Sequence, residues 1–259
     1  MIQRVLAPNP GPMTLTGTNT YLVGNGSGQL AVIDPGPDDP AHVAAILEAA
    51  ELLGDIAAVL VTHRHLDHLP AAEAICARTG APLLGHADLP GVQRPLADGE
   101  TAFGGLRALE TPGHTRESLC FWDPEASDLF TGDLVAGQGT VVLDDQPGAL
   151  GQYIASLERL VSLAPRTIYP GHGPTVQDGV GKLHEYLQHR RQRVQQVVHA
   201  LSAHGPSTVD ELVRAIYVDV TPNLVAMAAR NVRANLEKLA SDGVVMSTPE
   251  EPERWQLTS

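Results

Sequence analysis

Two kinds of periodicity run along the chain. Up to about residue 176, short apolar runs rich in Val, Leu and Ile are bounded by Gly, Pro or Asp. They predict strands over 2–6, 18–24, 29–34, 57–62, 82–85, 106–110, 117–122, 127–131, 139–143 and 167–169. Between them, apolar residues recurring every three to four positions predict helices over 39–53, 69–79 and 149–162. In the last, Tyr153, Leu157 and Leu160 repeat at helical spacing, with Ile154 and Val161 widening the stripe. Pro40 after Asp39 suits a helix first turn, where its missing N–H costs nothing.

Beyond 176 the pattern changes. Leu183, Leu187, Val194, Val197, Val198 and Leu201 mark one side of a long helix over 179–203, stopped by His204-Gly205-Pro206. Ser207 and Thr208 before Asp210-Glu211 cap a short helix ending near Tyr217. Thr221-Pro222 opens a second helix, Asn223 to Ala240. Val244-Val245-Met246 then pairs with Glu253–Leu257 as a hairpin. Short helix, longer helix and hairpin make a winged-helix pattern. The expected organisation is a mixed α/β domain over 1–176, then a long helix with a winged-helix-like domain over 177–259.

Composition narrows the function. The formal net charge is −13, with about −12 of it on residues 1–176. That repels nucleic acid at long range, leaving only a local basic groove around Arg190, Arg191, Arg193, Arg230 and Arg233. No apolar stretch approaches the length of a membrane span. The N-terminal Met1-Ile2-Gln3-Arg4-Val5 lacks the apolar core of an export signal, so a cytoplasmic product is expected. Cys76 and Cys120 adjoin no metal-type motif and read as small apolar residues.

The chemistry is concentrated in seven residues. His63, His65, Asp67 and His68 follow the apolar run Ile56–Val61 within six positions. His114, Asp133 and His172 each follow a strand-like run and a Gly: Thr111-Pro112-Gly113-His114, Thr131-Gly132-Asp133 and Tyr169-Pro170-Gly171-His172. Strand ends leading into such loops can aim side chains into one cleft. Imidazoles and carboxylates suit zinc, and also iron or manganese. Five histidines and two aspartates suffice for two divalent ions, with one carboxylate between them. His42, His86, His184, His199 and His204 stand alone and are read as capping or surface residues.

His63-Arg64-His65-Leu66-Asp67-His68 with His114, Asp133 and His172 resembles the metallo-β-lactamase superfamily. A narrower resemblance, to the lactamase-β-like protein 2 group, rests on several motifs spread along the chain. These are Asn9-Pro10-Gly11-Pro12, Leu15-Thr16-Gly17-Thr18-Asn19-Thr20-Tyr21-Leu22-Val23-Gly24, Gly137-Gln138-Gly139-Thr140, Tyr169–Pro174 and Tyr186 with His189-Arg190. The resemblance implies an α/β fold, a four-layer αβ/βα sandwich, with a C-terminal winged-helix-like extension. It implies two metal ions, one on His63, His65 and His114, the other on Asp67, His68 and His172, with Asp133 as bridge. Catalysis would use a hydroxide bridging the ions, with Asp67 taking its proton and His172 available to protonate the leaving group. Asp34 would hold a ligand imidazole, Asn19 and Tyr21 would face the cleft, and His189 and Arg190 would hold an anionic group.

Members of that group include single-strand-selective endoribonucleases and relatives that release thioesters from carrier proteins. The substrate classes are therefore a small or acyl-carrier-linked ester, thioester or lactone, with a phosphodiester in single-stranded RNA as the alternative. Lactam-hydrolysing members generally lack an aspartate at the Asp133 position, which disfavours that reaction here. A winged-helix DNA-binding or scaffold protein is disfavoured by retention of all seven residues. The tail leaves oligomerisation open. Loops 9–17, 86–101 and 137–150 are expected to shape the substrate site.

Overall fold

In the computed structural model, residues 1–217, 225–249 and 251–258 are described. The expected start of the second tail helix at Thr221-Pro222 and Asn223 lies outside them. One sheet has six strands in the order β1 (Ile2–Leu6), β2 (Asn19–Gly24), β3 (Gln29–Ile33), β4 (Asp55–Leu60), β5 (Leu83–Gly85) and β6 (Arg94–Pro95). The second has five, in the order β11 (Thr167–Pro170), β10 (Asp128–Gly132), β9 (Leu119–Asp123), β8 (Leu106–Glu110) and β7 (Thr101–Phe103).

Side-chain alternation along the strands builds the layers. Tyr21, Val23, Ala31, Ile33 and Leu60 point inward and meet Ala108, Phe121 and Phe130 of the other sheet. Leu22, Leu30, Val32 and Val59 point outward, under α1 (Pro40–Glu51) and α2 (Ala71–Thr79). On the far side, Leu109, Cys120, Trp122, Leu129 and Ile168 pack under α3 (Ala149–Ser162) and the start of α4 (Gly179–His204). Strands covered on both faces explain the near-continuous apolar runs. The result is helix, sheet, sheet, helix.

Capping fixes the helix starts. Asp39 accepts from His42 N at the head of α1, and Asp178 accepts from Gly181 N at the head of α4. Thr208 and Glu211 form a capping box on α5 (Val209–Ile216). Helix α4 spans two cores. Leu183, Tyr186 and Leu187 sit in the sheet-side core. Val197 and Leu201 join α5, α6 (Val225–Ser241) and the hairpin of β12 (Val245–Ser247) and β13 (Trp255–Leu257). No described helix is long and apolar enough to cross a membrane.

The expected strand at 139–143 does not form. Its carbonyls are taken by side chains: Tyr186 Oη donates to Gly139 O at 2.9 Å, Arg190 Nη2 to Val141 O at 2.7 Å and His114 Nδ1 to Val142 O at 2.7 Å. Val141 and Leu143 are buried, which gave the segment its strand-like apolar pattern. Strands β6 and β7 went unpredicted because two or three residues carry no alternation.

Candidate metal centre

Strands β3, β4, β8, β10 and β11 end at one edge of the two sheets, since β3 and β4 are parallel, as are β10 and β11. The loops just past those ends bring the seven residues together. Donor atoms of His63, His65, His114 and Asp133 lie within 4.8 Å of one another, as do those of Asp67, His68, Asp133 and His172. Asp133 belongs to both sets, one oxygen to each. Its Oδ2 is 3.7 Å from His114 Nε2, and its Oδ1 is 3.4 Å from His68 Nε2 and 3.3 Å from His172 Nε2.

The spacing fits cations. His65 Nδ1 is 2.9 Å from His63 Nε2 and 3.0 Å from His114 Nε2. His172 Nε2 is 3.3 Å from His68 Nε2 and 3.1 Å from Asp67 Oδ2. Donors on a tetrahedral zinc, each about 2.0–2.1 Å from the metal, stand roughly 3.3 Å apart. Asp133 Oδ1 is buried with no hydrogen-bond partner. A buried carboxylate oxygen facing two imidazole nitrogens with no hydrogen-bond partner fits a metal ligand.

The backbone and its neighbours aim the rings. His68 Nδ1 donates to Asp34 Oδ2 at 2.9 Å, which turns Nε2 toward the cluster. Thr62 Oγ1 donates to the same oxygen at 2.8 Å and can accept from His63 Nδ1 at 2.9 Å. Asp34 thus orients two imidazoles, one directly and one through Thr62. His114 is oriented by Val142 O, and His172 Nδ1 faces Gly17 O at 3.4 Å.

Electrostatics split the histidines. Burial and the adjacent His68 and His114 rings push His63 well below the usual imidazole range. Burial and His114 also lower His65. At His68 burial disfavours the cation, but Asp133 and Asp34 outweigh it and raise the pKa well above its ordinary value. His172 likewise rises against burial, to about 9, through the adjacent carboxylates of Asp133 and Asp67. Asp133 is held well below the carboxylate range despite its burial, by His68 and His172. Burial also opposes the charge on Asp67, but His172 and His68 keep its pKa low.

Gly171 lets the His172 loop close over the cluster. An added Cβ would lie 2.6 Å from Asp133 Oδ1 and 2.6 Å from His68 Cε1. Gly171→Ala is expected to weaken metal binding about 10–100-fold, as displacing ligand supports does. Chelator competition on the purified protein measures it.

Several expected site residues lie elsewhere. Asn19 and Tyr21 do not face the cleft; both are buried against the His172 loop. Asn19 Nδ2 donates to Pro170 O and Gly173 O, each at 2.9 Å, and Tyr21 Oη to Pro170 O at 2.8 Å. Arg190 is buried, stacked over the Tyr153 ring and bonded to Val141 O, so it braces the 137–150 loop. His189 lines a separate recess beside Tyr186. Loops 9–17 and 137–150 line the cleft, whereas 86–101 does not.

Sequence reasoning missed Glu117, 2 % exposed, which takes Arg64 Nη1 at 2.6 Å and so anchors the loop carrying His63 to His68. A carboxylate opening an otherwise apolar strand was the available signal. It also passed over Thr62, which no motif marked.

Comparison with known proteins gives the affiliation. The metallo-beta-lactamase superfamily model matches residues 13–92 and 86–172, and the beta-lactamase associated winged helix domain matches 208–255. A beta-lactamase-like protein 2 homolog of Caenorhabditis elegans is 34% identical, covering 98% of this chain and 89% of its own. A metallo-beta-lactamase family protein of Thermus thermophilus shares the fold at a TM-score of 0.79 and 24% identity, over 99% of this chain and 98% of that one. The protein TTHA1623, solved in a di-iron-bound form, is 32% identical with a TM-score of 0.56, over 69% of this chain and 96% of that one. By the superfamily match across the loops that carry the seven residues and the 34% identity to a relative over nearly the full length, the chain belongs to the metallo-β-lactamase superfamily, among the beta-lactamase-like protein 2 homologues.

Proposed function

We propose that this superfamily hydrolase attacks the carbonyl carbon of an ester, thioester or lactone and cleaves its acyl–oxygen or acyl–sulfur bond. The observation that carries the reading is the lining of the cleft beside the seven residues. The cleft encloses about 500 Å³, with Met13, Leu15, Ala136, Val141 and Leu143 among its walls. Its two arginines, Arg64 and Arg230, both already face carboxylates: Arg64 faces Glu117 and Asp144, and Arg230 faces Asp145. A polyanionic strand of RNA needs several unpaired cations along its path. An acyl group needs an apolar wall, which this cleft has.

Two divalent ions held by His63, His65 and His114 and by Asp67, His68 and His172, with Asp133 between, would supply a hydroxide at neutral pH and polarise the carbonyl oxygen. Asp67 is the acidic member most open to the cleft, with 26% of its side chain exposed. Its low pKa keeps it ionised at neutral pH and able to orient the nucleophile; being a weak base, it relays the nucleophile's proton to the leaving group and does not hold it. The acyl–sulfur or acyl–oxygen bond then breaks, and that proton leaves with the thiol or alcohol. His172 Nε2 lies 3.1 Å from Asp67 Oδ2 and 3.3 Å from Asp133 Oδ1, close enough for the three side chains to share one ion.

The test is parallel turnover by the metal-loaded protein of a thioester, a lactone, a cephalosporin, bis(p-nitrophenyl) phosphate and single-stranded RNA. Asp67→Ala and His114→Ala serve as controls. Saturable thioester or lactone turnover with inert RNA, lost in both variants, is expected. RNA cleavage lost in both variants, with inert esters, would replace this reading by the phosphodiester one.

A further inference from the structure

The C-terminal unit is part of the wall of the cleft. Helix α6 places Arg230 in the same cleft as His65, Asp67, His114 and Asp133. Met227, Arg230 and Asn231, neighbours on one helix face, line a recess with Asp144 and Asp145 of the 137–150 loop. The substrate therefore meets α6 as well as the sheet-edge loops.

The two cleft arginines differ in how firmly they are held. Arg64 is fixed by Glu117, a carboxylate with 2% of its side chain exposed. Arg230 is paired with Asp145, and 52% and 66% of those two side chains are exposed. A solvent-exposed pair of this kind contributes little, being screened by water and costly in side-chain freedom. An incoming anion can take the place of Asp145 with little loss, while the Glu117 contact stays.

We propose that Arg230 is a specificity-determining residue that receives an anionic oxygen group on the part of the substrate distal to the scissile carbonyl. This rests on the carbonyl-hydrolase reading and names a substrate feature within it: an apolar acyl segment lies along Met13 and Leu15, and one negative charge reaches Arg230. Asp145 holds the guanidinium at the mouth until substrate arrives. Without Arg230, an anionic substrate would meet Asp145 at the mouth with its paired cation gone.

The test compares 4-nitrophenyl half-esters of succinic, glutaric and adipic acid with the neutral butyrate, valerate and hexanoate esters. The readout is the ratio of kcat/KM for each anionic ester to that of its neutral counterpart. Arg230→Gln should lower the ratio about tenfold at the best-fitting length, through KM. Arg230→Lys should restore part of it, and Asp145→Asn should raise it about threefold by releasing the guanidinium. These are charge contacts of the size seen for a single charge-assisted hydrogen bond. Half-esters ending in a phosphonate separate phosphate-type from carboxylate-type recognition by their relative ratios.

The same comparison is made by calorimetry with N-(4-nitrophenyl)succinamic acid and N-(4-nitrophenyl)butyramide. Arg230→Gln should narrow the difference between their dissociation constants about tenfold. If no ester is turned over, the carbonyl-hydrolase reading fails, and the calorimetric comparison alone decides on Arg230. A ratio unchanged by Arg230→Gln, with an unchanged calorimetric difference, overturns the proposal, as does a fall in the ratio on Asp145→Asn.

Discussion

Replacing Asp133 with asparagine is expected to cut turnover of the best carbonyl substrate about 10³-fold and to lower bound metal from two ions per chain to about one. The reason is the division of labour between its oxygens. Oδ2 faces His114 and Oδ1 faces His68 and His172, so a single carboxylate serves both ligand sets. Asparagine keeps the shape but replaces one oxygen with an N–H donor that cannot ligate. It also removes the negative charge between two cations about 3.5–4 Å apart, whose repulsion is then unscreened. The fold should survive, because its four apolar clusters do not include the seven residues. Metal analysis and circular dichroism on the variant, beside turnover, check each part. Two retained ions with near-normal turnover would remove Asp133 from the bridge.

The metal-free protein is expected to lose stability as pH rises from about 6.5 to about 9, while the metal-loaded protein does not. His68 and His172 are the groups concerned. Both have folded pKa values raised above the ordinary 6.5, His172 to about 9. Below 6.5 the imidazoles are protonated in both folded and unfolded chains, and their attraction to Asp34, Asp67 and Asp133 is fully present. As pH climbs through the folded values that attraction is lost, worth roughly 3 kcal/mol at His172. Metal binding needs the neutral rings, so it releases protons and strengthens over the same range. The gap in Tm between loaded and chelator-treated protein should therefore widen from pH 6.5 to 9. Calorimetric scans at both ends of that range measure it, and a narrowing gap would contradict the ionisation scheme.

What could be read from sequence followed from burial on both faces of a strand. Leu22 and Val32 pack outward and Tyr21 and Ile33 inward, so β2 and β3 stood out as unbroken apolar runs. The seven cluster residues stood out because chemistry at a strand end has no packing explanation. Direction was harder. Asn19, Tyr21 and Arg190 have the right chemistry for a cleft, yet each donates to a backbone carbonyl of a nearby loop. Residue type does not say which way a side chain points. The 139–143 segment shows the same limit from the other side: Val141 and Leu143 are buried as in a strand, but side chains from α4 and His114 satisfy its carbonyls. Arg230 was legible only as one basic residue on a tail helix, because its place in the cleft depends on how α6 packs.

Anomalous diffraction from crystals of the metal-loaded protein tests most directly whether two ions share Asp133. Two peaks about 3.5–4 Å apart are expected, one among His63, His65 and His114 and the other among Asp67, His68 and His172, each within bonding distance of one Asp133 oxygen. A single peak, or a pair that Asp133 does not touch on both sides, would contradict the shared centre.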